Sequence, residues 1–120
     1  MGERLWNNWL RYQAVREQES VFRKKAETIL KFLKLDLLKH EPASNLSGGQ
    51  LKLLELGRAL ISDPKMILLD EPTAGVNPVL LEEIIERIRE INRMGITILI
   101  IEHNMEMVMK LCSPIIVMSE

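Results

Sequence analysis

The apolar positions change period near residue 63. Ahead of it Phe22, Ala26, Ile29 or Leu30, and Leu33 recur three or four residues apart. That is the spacing of one helical face and predicts an amphipathic helix over about residues 20–35. Leu5, Trp9 and Tyr12 predict a shorter helix before it. Pro42 disfavours the α region at Glu41, so His40 to Ala43 reads as loop. Leu53, Leu56 and Leu60 then mark one face of a helix over about residues 50–61, ended by Ser62-Asp63-Pro64.

Beyond that point Met66 to Leu69 is a short unbroken apolar run, the pattern of a parallel strand covered on both faces. Asn77-Pro78 is a helix start, a capping side chain followed by Pro at the first helical position. Leu81, Ile84 or Ile85, Ile88 and Ile91 form that helix's buried stripe, and Gly95 stops it. Ile96 to Ile101 is rich in β-branched residues and predicts a second strand. Met105, Val108 and Cys112 predict a short helix, and Ile115 to Met118 a third strand. Strands alternating with helices imply parallel pairing through crossovers, with all strand carboxyl ends along one edge. Ligands of open α/β sheets bind at that edge.

Composition narrows the classes. At 120 residues the chain holds one unit, or a piece of one, and 47% hydrophobic residues exclude a disordered tail. Sixteen basic against 17 acidic groups leave no excess for a phosphate backbone, so no nucleic-acid partner is expected. The apolar runs fall far short of the roughly 20 residues of a bilayer span, and the first residues, with Trp6 in place of a Ser or Thr, show no secretory or lipidation signal. The single Cys112 cannot form an internal disulfide and suits a reducing cytosol as an inert thiol. His40 reads as solvated surface, and the seven methionines as packing.

Two pairs of polar residues fall on the ligand edge: Asp70-Glu71 after the first strand and Glu102-His103 after the second. Polar residues end strands in any protein, but two such pairs on one edge suit chemistry as well. Ser47-Gly48-Gly49-Gln50 fits a capping box, in which Ser47 and Gln50 satisfy each other's amides. Helix initiation alone could account for it. The two glycines also bare the helix start, where amides and the positive dipole end can meet a phosphate.

Together these residues resemble the ATPase subunit of ATP-binding cassette (ABC) systems. Leu46 to Gln50 is that family's signature sequence, unaltered, and Ile67-Leu68-Leu69-Asp70-Glu71 matches its Walker B pattern. His103, 32 residues past Glu71, falls where the family has its switch histidine. The resemblance spans about residues 20–118. Glu71 to Pro78 and Ile101 to Met105 look like the ATP-binding subunits of branched-chain amino acid importers, with closely similar stretches in lipopolysaccharide-export ATPases.

The resemblance implies an α/β fold, a partial P-loop NTPase core of parallel strands with crossover helices plus an amino-terminal helical subdomain. It divides the chain into residues 1–62, helical and ending in the signature helix, and 63–120, the RecA-like part with Walker B, D-loop and switch histidine. It gives catalytic roles to Glu71, which polarises water, and His103, which contacts the γ phosphate. Asp70 would hold Mg2+ through water. Ser47, Gly48, Gly49 and Gln50 would meet ATP in trans, in a head-to-tail dimer with a second ABC ATPase subunit. Transmembrane permease subunits would hold the protein at the cytoplasmic face of the membrane, where the parent couples ATP hydrolysis to solute import.

The chain departs from the pattern in three respects. Asn77 stands where the D-loop usually ends in Asp, none of the six glycines is followed by Lys, so there is no Walker A loop, and neither Gln13 nor Gln18 follows a strand as a Q-loop glutamine does. The expected object is therefore the carboxyl-side portion of such an ATPase, weak in ATP binding by itself. The alternative is a catalytically inactive interaction module that supplies a signature face to a partner.

Overall fold

The computed structural model describes residues 2–118, with side-chain surroundings from Val15 onward. Its first element, α1 (Gly2–Phe32), is one continuous helix. It merges the two helices expected from periodicity, because the polar stretch between them contains no Gly or Pro and is built of residues that tolerate helix. Trp6, Trp9 and Tyr12 lie outside the residues whose side chains are described. The helix closes earlier than expected. Lys34 turns left-handed at φ 56, Lys34 N donates to Lys31 O at 3.0 Å and Leu35 N to Leu30 O at 2.8 Å. That bonding is a Schellman stop, with lysine in the place glycine usually takes.

After two short 3-10 turns come α2 (Gly48–Leu60), β1 (Met66–Asp70), α3 (Pro78–Arg93), β2 (Thr97–Ile101) and α4 (Met105–Leu111). One core joins them: Leu33 and Leu35 behind α1, Leu53 and Leu56 of α2, Ile67 of β1, Ile84, Ile85, Ile88 and Ile91 of α3, and Met107 of α4. The α3 stripe is as the sequence expects, and Asn77 caps it by accepting from Leu80 N at 3.0 Å. The α1–α2 approach is close enough to need Gly57. A Cβ there would come within 2.7 Å of Leu33 Cδ1.

The two strands pair in parallel, Met66 with Thr97 through Asp70 with Ile101. Two expectations fail here. The strands are covered on one face: Ile67, Leu69, Ile98 and Ile100 pack on the core, whereas Met66, Leu68, Leu99 and Ile101 are exposed. An unbroken apolar run reports that both faces avoid water but not what covers them, and among the described residues nothing lies over the outer face. Ile115 to Met118 forms no strand. The segment is exposed and pairs with neither β1 nor β2, so its apolar, β-branched sequence lacks the ladder that defines a strand.

Candidate functional site

The parallel register brings the two polar pairs together. With Asp70 opposite Ile101, the chain leaves both strands at the same level, and Glu71 N extends the ladder by donating to Ile101 O at 2.9 Å. Glu71 then turns at φ 46, a left-handed conformation that costs a residue with a Cβ about 1–2 kcal/mol. The turn aims its carboxylate across the sheet end. His103 Nδ1 lies 3.3 Å from Glu71 Oε1, and both side chains remain open to solvent. A carboxylate and an imidazole at this separation can share or relay a proton and can orient a water.

Behind that pair lies a second contact that sequence reading missed. Thr73 is the buried polar residue among those described, and its hydroxyl donates to Glu102 Oε1. The other carboxylate oxygen, Oε2, accepts from His103 N at 3.3 Å. The sequence marks Glu102 only as a polar residue ending a strand. The one hint at Thr73 is a β-branched hydroxyl residue directly behind Pro72 in a loop.

Ser47 to Gln50 form a unit of their own at the start of α2. Ser47 N donates to Gln50 Oε1 at 2.9 Å and Gln50 N to Ser47 Oγ at 3.3 Å, the capping box the sequence predicts. The first intrahelical bond runs from Leu51 N to Ser47 O, so helix geometry leaves the Gly48 and Gly49 amides without intrahelical acceptors. The two glycines differ in their surroundings. Gly48 is exposed, and a Cβ there would meet only Gly75 O, at 3.9 Å. Gly49 is buried, and its Cβ would fall 2.6 Å from Leu80 Cδ1. Packing against α3 thus requires glycine at 49 whatever binds the amides.

Asp70 closes β1 and is exposed. Among the described residues no three His, Cys, Asp or Glu side chains gather as a ready metal site. A divalent cation at Asp70 would draw its other ligands from phosphate and water, the coordination Mg2+ prefers. A single carboxylate suits Mg2+ carried with a nucleotide, and the Gly48 and Gly49 amides, without intrahelical acceptors, suit a phosphate.

Comparison with known proteins shows the family. The sequence profile of the ABC transporter family matches residues 4–74. The chain belongs to the ABC transporter family. This ABC chain is 47% identical over 122 residues to a probable branched-chain amino acid transport ATP-binding protein LivG of Archaeoglobus fulgidus, an alignment covering 98% of the chain and 45% of the relative. It is 48% identical over 103 residues to the LivG protein of Methanocaldococcus jannaschii, covering 86% of the chain and 39% of that protein. A crystal structure of a nucleotide-free ATP-binding cassette from an ABC transporter superposes with a TM-score of 0.74 at 47% identity, over 86% of the chain and 41% of the cassette. The ABC chain therefore spans less than half the length of these relatives. The expected partial α/β fold of an ABC ATPase is the one observed.

Proposed function

We propose that this chain forms part of an ABC transporter ATP-binding subunit that hydrolyses ATP to drive solute import, with branched-chain amino acids as the favoured cargo. The observation that carries the reading is the meeting of Glu71 and His103, 3.3 Å apart at the ends of two parallel strands, next to Asp70. In this reading Glu71 orients and deprotonates the attacking water, and His103 takes up contact with the terminal phosphate. Bound ATP with Mg2+ supplies the phosphoanhydride and the charge neutralisation. Asp70 would hold the metal side, and the segment Ser47, Gly48, Gly49 and Gln50 would meet a nucleotide held by a second ATPase subunit, its capping box leaving the Gly48 and Gly49 amides for the phosphates. The kinship to LivG proteins supports the cargo. The division into a helical part over 1–62 and a RecA-like part over 63–120 belongs to the same proposal, as does docking to permease subunits at the cytoplasmic face of the membrane. No helix among the described residues is long and apolar enough to cross a membrane.

The test is a chimera in which this chain replaces the aligned region of the Archaeoglobus LivG protein. Phosphate release from Mg-ATP is expected from the chimera, and Glu71→Gln is expected to slow it by about 100- to 10,000-fold while nucleotide binding persists. Turnover within twofold of the unmutated chimera would remove Glu71 from the catalytic role.

A further inference from the structure

We infer that the free edge of β1 takes a second copy of this chain, the two β1 strands pairing antiparallel about Leu68 into one continuous sheet. The inference is independent of the catalytic reading above. Among the described residues β1 and β2 make up the whole sheet, so each strand has one unpaired edge. The bonds that bracket their ladder run from Thr97 N to Lys65 O and from Glu71 N to Ile101 O. Main-chain groups alternate in direction along a strand, so those of Ile67 and Leu69 face β2 as well. Met66, Leu68 and Asp70 turn their N–H and C=O groups outward. A cavity borders Ile67 to Asp70. Successive side chains point to opposite faces, so a space touching all four lies along the edge of the strand. An edge of this kind is a template for another strand.

The sequence of the strand selects the occupant. Two copies that meet through the same edge by two-fold symmetry run antiparallel, each contributing the same residues. With Leu68 opposite Leu68 of the second copy, Met66 falls opposite Asp70, and all three outward residues enter hydrogen-bonded pairs. Pro64 and Pro72 stand four residues to either side of Leu68 and, having no N–H, bound the ladder at both ends. Moving the register by two residues would set one of these prolines against an outward residue and lose bonds. The centred register also sets Lys65 of each copy opposite Glu71 of the other, an attractive cross-strand pair at each end. Met66 and Leu68, exposed at 53% and 61%, gain apolar neighbours across the joint, Leu68 facing its own copy and Met66 lying diagonal to it.

The experiment uses the 120-residue chain with Cys112→Ser, which removes its one native thiol. Leu68→Cys in that background is expected to form a disulfide dimer under mild oxidation. The Cα atoms of a hydrogen-bonded antiparallel pair lie about 5.5 Å apart, within disulfide reach. Leu99→Cys, paired with Leu68 in the sheet and exposed like it, is expected to stay reduced, because three strand spacings separate the two positions by about 14 Å. Sedimentation equilibrium then checks the register. Lys65→Glu and Glu71→Lys should each weaken the dimer by about tenfold or more, and the two together should restore it. Equal cross-linking at 68 and 99 would overturn the edge and show that the sheet faces meet instead. Charge changes without effect, or a double variant as weak as either single one, would overturn the pairing about Leu68. Should Glu71→Lys fail to fold, the two cysteine variants and Lys65→Glu decide the matter. A chain that stays monomeric until the part of the Archaeoglobus LivG protein outside the alignment is added would assign the edge to another stretch of cassette and overturn the second copy.

Discussion

Replacing Glu71 by glycine and by alanine isolates the backbone contribution at the residue proposed to activate water. Both substitutions delete the carboxylate and its contact with His103, so their difference cancels that loss. At φ 46 the alanine Cβ meets the following carbonyl at a cost of about 1–2 kcal/mol, which glycine does not incur. Alanine recovers about 0.4–1 kcal/mol because its unfolded chain is less free. The glycine variant should therefore be the more stable by about 0.5–1 kcal/mol, a difference of roughly 2–8 °C in midpoint for a small domain. The same pair of substitutions at Glu82, on the exposed surface of α3, should show the opposite order, with alanine ahead by about 1 kcal/mol. Circular-dichroism melting of the four variants measures both differences. An alanine variant at 71 as stable as the glycine variant, with the usual order kept at 82, would refute the left-handed turn. The strain argument for how Glu71 is aimed would fall with it.

Ser47→Ala removes one half of the capping box and should cost about 1 kcal/mol in urea denaturation, with Ser47→Gly costing only a few tenths. Burial pushes the Cys112 thiol above its ordinary value, which depletes the thiolate at a given pH. Its alkylation by iodoacetamide should therefore reach half-maximal rate at a higher pH in the folded chain than in urea, and equal profiles would contradict the packing around α4. Met66, Leu68, Leu99 and Ile101 present an uncovered apolar sheet face, and such a face recruits another surface. Light scattering across a concentration series should show association, weakened by Leu68→Lys, and a monomer at all concentrations would contradict it.

The legible parts of this protein were those in which one local rule acted without competition. Ser47 with Gln50, and Asn77 with Pro78, fixed two helix starts because the capping side chain lies within three residues of its amide. The isoleucine stripe of α3 showed its buried face for the same reason. The stop at Lys34 was not legible, since a left-handed lysine carries no mark of its own and the turn is held by the Leu35 N to Leu30 O bond and by the burial of Leu33 and Leu35. Ile115 to Met118 reads as a strand because its propensity is intrinsic, whereas a strand exists only against a neighbour. At the site, Asp70, Glu71 and His103 were found by position at strand ends. The Thr73–Glu102 bond spans 29 residues of sequence and became visible only once the strand register set the two loops side by side.

The contact between Gly49 and Leu80 sets a rule for variation. Leu80 is held from two directions, its amide by the Asn77 cap and its side chain by the flank of α2, where a Cβ at 49 would lie 3.0 Å from its Cβ and 3.2 Å from its Cγ. A longer side chain at 49 cannot be absorbed by swinging a methyl group aside, because the stem of Leu80 is in the way. Positions 49 and 80 therefore share one fixed volume, and a descendant that enlarges the first must shrink the second. Since 49 lies in the first turn of α2 and 80 in the first turn of α3, such a pair of changes would shift the two helix starts as one body.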